Sequence, residues 1–107
     1  MAVRAIAIED DEAVARLIAQ VLTSNGFEVL GTAATGEEGL ALAKSVKPDV
    51  AIVDLGLPRM SGEDVIASIR QELPKTACIA LTAVDIPARV LGALALVPGL
   101  RRLRRTS

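Results

Sequence analysis

The sequence predicts an α/β domain built on a parallel β-sheet. Short apolar runs, typical of strands, alternate four times with longer segments whose apolar residues recur at helical spacing. The third run, Val50 to Val53, is unbroken, as in strands that are buried on both faces of a parallel sheet. Because the connections are short, successive strand–helix units are expected to form right-handed crossovers between parallel strands.

Four segments are predicted as strands, at residues 3–8, 27–33, 50–53 and 77–82. After Leu96 the alternation fails, and residues 97–107 contain no convincing strand. We therefore expect one domain over residues 1–107, with a core at 3–96 and an atypical basic tail at 97–107.

The first two predicted helices have start and stop signals. Apolar residues of the first recur with the period of an amphipathic helix: Val14, Leu17, Ile18, Val21 and Leu22. Acidic residues crowd its first turn, where the helix dipole favours them, and Asn25-Gly26 ends it. Thr35 and Glu38 form a capping-box pattern before a second helix that reaches about Val46.

The last two predicted helices begin in the same way. Ser61 opens the third, which carries apolar residues from Val65 to Leu73. Asp85 and Pro87 suit the first turn of a fourth helix, which runs to about Leu96.

The composition excludes several classes of function. There is no histidine, which rules out a Ser-His-Asp triad and a His-ligated zinc site. Cys78 is the only cysteine and lies in an apolar run, where it is expected to pack as a small hydrophobic residue. Phe27 is the only aromatic residue, so the stacking platforms of single-strand nucleic-acid binders are missing. Any metal site must use oxygen ligands, which suit magnesium, calcium or manganese.

The charges are unevenly distributed. The 13 acidic and 8 basic residues before Gly99 give a net charge of −5, whereas the last eight residues carry four arginines. An acidic body argues against direct nucleic-acid binding. No apolar run approaches membrane-spanning length and no signal peptide is evident, so a cytoplasmic protein without a membrane partner is expected.

Oxygen-bearing side chains follow three of the predicted strands. The first strand runs into Glu9–Glu12, the third ends in Asp54 and the fourth ends in Thr82. If the first and third strands are neighbours across a topological switch point, these groups converge at the carboxyl edge of the sheet. Carboxylates that converge without a basic partner repel one another, so either their pKa values rise or a divalent cation lies among them. Magnesium fits, and an aspartate in its field can attack phosphorus to form an acyl phosphate, with Thr82 donating to a phosphoryl oxygen.

Each of these residues also has a purely structural interpretation. The acidic run can cap the first helix, and Asp11 or Glu12 is expected to do only that. Asp54 can cap a turn, and the Thr82 hydroxyl can bond its own backbone. For each residue taken singly, the structural interpretation is favoured. Because oxygen-bearing side chains occur at the ends of three core strands, the set together favours a common functional site.

Three stretches resemble the receiver domains of bacterial two-component response regulators: AIEDDEAVARLIAQVLTSNGFEV, PDVAIVDLGLPRMSGEDVI and CIALTA. Their order is specific, with an acidic pair, then D-x-x-x-P-x-x-x-G, then L-T-A, and the resemblance covers roughly residues 3–96. It implies a flavodoxin-like, doubly wound parallel sheet with strand order 2-1-3-4.

The resemblance also implies roles for single residues. Asp54 resembles the phospho-acceptor, and Glu9 and Asp10 resemble the acidic pair, with Asp10 and Asp11 as the alternative register. Asp10 and Asp54 would then ligate Mg²⁺ directly, Glu9 would do so through water, and the Gly56 carbonyl would be the third protein ligand.

The remaining motif residues have implied roles as well. Thr82 resembles the hydroxyl that switches onto the phosphoryl group, and Ala83 resembles the small residue that leaves phosphate access. Pro58 and Gly62 resemble the turn residues after the acceptor.

The end of the sequence departs from the family pattern. Receivers continue into a fifth strand that ends in Lys-Pro and then into a fifth helix, but no lysine follows Lys75 here. The lysine that bridges phosphoryl group and acceptor is therefore missing. Arg104 lies nearest by spacing, in a stretch that does not look like a strand, and the fifth strand and fifth helix are expected to be missing or altered.

Two functions remain open. The first is a phosphorelay switch that receives a phosphoryl group from a sensor histidine kinase or phosphotransfer protein and signals to a downstream protein; it is not an enzyme beyond its own phosphoryl transfer and dephosphorylation. The second is a receiver-like interaction module that takes no phosphate. If the fifth strand is missing, strand four becomes an uncovered edge of the sheet. We therefore also expect self-association, as a dimer or other homo-oligomer.

Overall fold

The computed structural model of the chain describes residues 2–81. Within this range four strands and three helices alternate as predicted. The strands are β1 (Arg4–Ile8), β2 (Glu28–Ala33), β3 (Val50–Asp54) and β4 (Ala77–Leu81). The helices are α1 (Glu12–Ser24), α2 (Gly36–Val46) and α3 (Gly62–Glu72). The predictions for Thr82, Ala83, the fourth helix and the tail at 97–107 lie outside the described residues.

The four strands form one parallel sheet in the order β2-β1-β3-β4, which confirms the predicted topology. In the pairing of β1 with β3, Ile8 lies opposite Val53. Strand β1 is flanked by β2 on one side and β3 on the other, so the chain order reverses beside it. Ligand sites of open α/β sheets lie at the carboxyl ends of the strands that flank such a point.

The sheet has helices on both faces. On one face Ile18 and Leu22 of α1 pack against the odd-numbered residues of β1, such as Ala5. On the other face α2 and α3 pack against even-numbered residues such as Ile6. All five residues of β3 are buried, as the unbroken apolar run predicted.

A side-chain cap begins each described helix. The carboxylate of Asp11 accepts from the amides of Ala13 and Val14 at 2.9 and 3.1 Å. The hydroxyls of Thr35 and Ser61 each accept from the amide three residues later, at 3.1 Å. These bonds satisfy amide groups that a helix leaves unpaired at its start, so the three loops at the carboxyl edge of the sheet end at fixed positions.

Leu17 differs from the pattern that predicted α1. Ala15, Ile18 and Leu22 are buried, whereas Leu17 is 38% exposed. It lies beside the buried stripe and not within it, so the apolar face of α1 is narrower than the spacing of its apolar residues indicated.

At the amino end of the sheet, Arg4 bonds to two neighbouring segments of the chain. Its guanidinium donates to the carbonyls of Val46 and Lys47 at 2.7 and 3.0 Å, at the end of α2. Lys47 itself is in the left-handed conformation with φ 47°. The Arg4 amide donates to the Asp49 carboxylate at 2.8 Å, so one residue fixes both the end of α2 and the start of β3.

Among residues 2–81, no helix is long and apolar enough to cross a membrane.

Candidate phosphoryl-acceptor site

Adjacent strands carry Glu9 and Asp54 to the same point of the sheet. Because Ile8 pairs with Val53, Glu9, which directly follows β1, lies beside Asp54, the last residue of β3. The Glu9 amide is held by the Ala33 carbonyl at 2.9 Å, and the amide of Leu55 by the Leu81 carbonyl at 3.0 Å. Both carboxylates are therefore positioned by backbone that is fixed on two sides.

Three carboxylates converge there. Glu9, Asp10 and Asp54 each offer an oxygen, and these oxygens lie within 4.8 Å of one another. Glu9 is 6% exposed and Asp54 is 9% exposed, whereas Asp10 is open to solvent. The cluster thus has a buried floor and an accessible side, which leaves room for a ligand that arrives from solvent.

The close approach of the three carboxylates affects the ionisation of Glu9. The pKa of Glu9 is raised to about 7. Burial is the largest cause, and the hydrogen bond to the Asp54 side chain and the nearby charges of Asp54 and Asp10 also contribute to the rise. The Asp11 amide, which donates to Glu9 Oε1 at 3.2 Å, opposes it. Within residues 2–81 no lysine or arginine forms an ion pair with the cluster. In the described part of the chain, these three carboxylates therefore have no cationic side chain as a partner.

The loop after Asp54 packs closely around it. The Gly56 amide donates to Asp54 Oδ1 at 2.9 Å. A Cβ on Gly62 would collide with the Asp54 carbonyl oxygen and lie 2.7 Å from the Leu55 Cα. Gly62 at the start of α3 therefore lies directly against the backbone that carries the acceptor candidate.

The loop also contacts the neighbouring helix. A Cβ on Gly36, the first residue of α2, would lie 2.8 Å from the Met60 Cβ and 2.9 Å from Val65. The absent side chain of Gly36 thus lets the α2 start pack on the loop between β3 and α3.

The structure brings together the residues of one predicted register. Glu9, Asp10 and Asp54 form the cluster, while Asp11 caps α1, as the structural interpretation of that residue expected. The Gly56 amide donates a hydrogen bond to Asp54. The role of the Gly56 carbonyl as a metal ligand stays a prediction. Thr82 and Ala83 lie outside the described residues, so their roles stay predictions too.

A doubly wound parallel α/β domain with acidic side chains at the switch point is thus defined by the geometry. The response regulator receiver domain model matches residues 5–96, and the chain belongs to that family. The flavodoxin-like fold and the family resemblance predicted from the sequence are confirmed.

Curated relatives agree with this assignment. The chain is 38% identical over 91 residues to the uncharacterized transcriptional regulatory protein YhcZ of Bacillus subtilis, covering 83% of this chain and 42% of that protein. It is 40% identical over 81 residues to the cell cycle response regulator CtrA of Brucella ovis, covering 76% and 34%. It is 35% identical over 86 residues to the probable C4-dicarboxylate response regulator DctR of Halalkalibacterium halodurans, covering 78% and 36%. The chain therefore spans about a third to two fifths of the length of these relatives.

Solved structures agree as well. The signal receiver domain of the putative response regulator NarL from Mycobacterium tuberculosis superposes with a TM-score of 0.72 at 34% identity, covering 88% of this chain and 77% of that one. The chemotaxis protein CheY4 of Vibrio cholerae has the same fold, with a TM-score of 0.76 at 23% identity and coverage of 89% and 98%.

Two features of the site were not evident from the sequence. Gly62 was expected only as a turn residue, whereas it is required by its contact with the Asp54 backbone. The contact between Gly36 and Met60 was not expected at all. A glycine at the first position of α2 and of α3 was the available signal, because glycine has a low helix propensity.

Proposed function

We propose that the chain is a phosphorylation-controlled switch of two-component signalling, with Asp54 as the phospho-acceptor. The observation that carries this proposal is the Asp54 carboxylate, which lies at the end of a core strand beside two further carboxylates and has no basic partner among residues 2–81. A nucleophile at the floor of a cluster that is open to solvent on the Asp10 side suits attack on an electrophile that arrives with a cation.

The reaction is a transfer of one phosphoryl group. An Asp54 carboxylate oxygen forms a bond to phosphorus while the bond from phosphorus to the donor breaks. For a phosphohistidine donor the broken bond is P–N, and the imidazole leaves with its electron pair and takes up a proton. These 107 residues contain no histidine, so a phosphohistidine donor would lie outside them, and we propose a sensor histidine kinase or a phosphotransfer protein as its source.

The residues present fit Mg²⁺, which is the cation the resemblance implies. Three carboxylate oxygens within 4.8 Å of one another offer the hard oxygen ligands that Mg²⁺ prefers, and the exposed side of Asp10 leaves positions for water. Asp10 and Asp54 would bind it directly and Glu9 through water, with the Gly56 carbonyl completing the protein ligands. When bound, the ion neutralises negative charge that gathers on the transferring group.

The roles of this chain's own residues follow from their contacts. The Gly56 amide donates to Asp54 Oδ1 at 2.9 Å and so helps to hold the nucleophilic carboxylate in one orientation. The start of α3 packs against the same backbone through Gly62. A phosphoryl group on Asp54 would therefore press on the loop at 55–61, and the altered surface would be recognised by a downstream protein.

The domain is proposed to act in the cytoplasm and to catalyse no reaction other than its own phosphorylation and dephosphorylation. Its output is proposed to pass through protein contacts and not through direct binding to nucleic acid.

The test is phosphorylation by a small phosphodonor such as acetyl phosphate, with and without Mg²⁺. We expect the intact mass of the chain to increase by one phosphoryl group only when Mg²⁺ is present. Asp54→Asn should lose this uptake, because the amide keeps the shape of the side chain and is not a nucleophile. Asp64→Asn, which changes an exposed aspartate at the start of α3, is the matched control and should keep it.

An unmodified wild-type mass would favour the alternative, an interaction module that takes no phosphate. The sequence feature behind that alternative is the absence of lysine after Lys75. Uptake that persists in Asp54→Asn would instead show that another residue is the acceptor.

A further inference from the structure

A cleft of about 360 Å³ lies at the amino end of the sheet, the end opposite Asp54. It is formed where the chain leaves α2 and α3 and enters β3 and β4. Its lining residues are Lys47, Pro48, Asp49, Glu72, Leu73, Pro74, Lys75 and Thr76. Because β3 has five residues at roughly 3.3 Å each, the cleft lies on the order of 16 Å from the carboxylate cluster.

The cleft has an apolar floor and a charged rim. Pro48 and Thr76 are buried and Leu73 is partly buried. The Thr76 hydroxyl donates to the Pro48 carbonyl at 2.7 Å, so it offers no free donor to a ligand. The charged lining residues are exposed, which places every ionic group at the mouth.

The four charged lining residues sum to zero, and Lys44 and Arg4, which bond to Glu72 and Asp49 from outside the lining, make the mouth net positive. Glu72 pairs with Lys44 at 3.1 Å, and one Asp49 oxygen accepts from the Arg4 amide. Lys47 and Lys75 form no ion pair within residues 2–81. The carboxyl ends of α2 and α3 add partial negative charge. The Arg4 guanidinium caps the end of α2.

We propose that this cleft is a docking site for an acidic segment of a partner protein, in which a carboxylate side chain alternates with an aliphatic one. An aliphatic side chain would lie on Pro48 and Leu73, and flanking carboxylates would meet Lys47 and Lys75. A small-molecule site would present buried polar groups that converge on the ligand. Here the buried hydroxyl is already bonded and the charges form a rim, which is the arrangement of an apolar protein contact with a polar border.

The site differs from the acidic cluster in every respect. It has the opposite charge, lies at the other end of the strands and involves no residue of the phosphoryl-acceptor site. A partner held there would leave the carboxyl edge of the sheet open, so docking and phosphoryl transfer can occur together.

The test is an NMR titration of the full ¹⁵N-labelled chain with a short acetylated peptide of alternating glutamate and leucine. We expect saturable amide shifts at Asp49, Lys75 and Thr76, which weaken as salt screens the charged pairs. The same peptide with lysine in place of glutamate should not bind. Equal binding of both peptides, or shifts that centre elsewhere, would overturn the proposal.

Charge-removing variants supply the second arm. Lys47→Asn keeps a residue that tolerates the left-handed conformation, and Lys75→Gln keeps most of the side-chain length. The double variant should bind the acidic peptide roughly three- to tenfold more weakly, as expected for two exposed ion pairs. Arg16→Gln removes an exposed charge from α1 and should bind like wild type. An unchanged affinity in the double variant, or equal shifts with acetate alone, would contradict a site for an acidic protein segment.

Discussion

The side chain of Glu9 is hydrogen-bonded to that of Asp54, the proposed phospho-acceptor, because Glu9 directly follows β1 at the point where Asp54 ends the neighbouring strand β3. Two carboxyl groups share a hydrogen bond only when one carries a proton. Burial and the neighbouring carboxylates raise the pKa of Glu9 to about 7, so in the metal-free domain that proton is present up to near-neutral pH. A divalent cation and this proton therefore compete for the same oxygens.

The first prediction is that Glu9 makes the metal-free domain less stable as pH rises. Its folded-state pKa is raised, so its contribution is full below its ordinary value of 4.5 and is lost as pH passes through about 7. The loss amounts to roughly 3 kcal/mol at most, since each unit of pKa corresponds to about 1.36 kcal/mol. Urea unfolding with a chelator present should show wild type losing stability relative to Glu9→Gln between about pH 5 and pH 8. A difference that is constant or grows in favour of wild type would contradict the protonated pair.

The second prediction separates the two registers of the acidic pair. Asp10→Ala should weaken Mg²⁺ binding with little effect on stability, because Asp10 is exposed and belongs to the cluster. Asp11→Ala should do the reverse and lower the unfolding free energy by about 1 kcal/mol, because it removes the α1 cap. Mg²⁺ titrations followed at the amides of Asp54 and Gly56, with urea unfolding of both variants, make the comparison. If Asp11→Ala loses the metal response instead, the alternative register of Asp10 and Asp11 is correct.

The third prediction concerns self-association. Within residues 2–81, β4 has β3 as its one strand neighbour, and its residues Ala77 to Leu81 carry no charge. Uncharged edges of this kind tend to pair with another strand. Light scattering over a dilution series should show a mass above that of the 11.1 kDa chain at high concentration. A constant monomer mass would mean that this edge is covered within the chain.

The sequence predicted most of the frame because its signals are local. Strand β3 was evident from an unbroken apolar run, and α2 and α3 from Thr35 and Ser61, whose hydroxyls the structure shows as caps. The cluster of Glu9, Asp10 and Asp54 followed from strand ends in a parallel sheet. Leu17 could not be placed, because helical spacing does not tell which side of a stripe meets the sheet.

The cleft and the close glycine contacts could not be predicted, because they depend on the path of the chain in space and not on local sequence patterns. Lys47 and Lys75 are 28 positions apart and line the same cleft because β3 and β4 begin side by side. Gly62 is eight positions from Asp54, and only the path of the loop between them brings its Cα against the acceptor backbone.

The fourth prediction tests that last contact with a matched pair of glycines. In Gly62→Ala the new methyl group would meet the Asp54 carbonyl oxygen and the Leu55 Cα, which are backbone atoms that cannot move without the strand. We expect a loss of about 1–3 kcal/mol in unfolding free energy, typical of overpacking, and weaker Mg²⁺ binding because the Asp54 backbone must shift. In Gly56→Ala the methyl group would lie 3.5 Å from Asp54 Oδ1, an ordinary contact, so its stability should stay within about 0.5 kcal/mol of wild type. Urea unfolding and Mg²⁺ titration of both variants decide the matter, and equal effects at the two glycines would show that α3 does not hold the acceptor backbone in place.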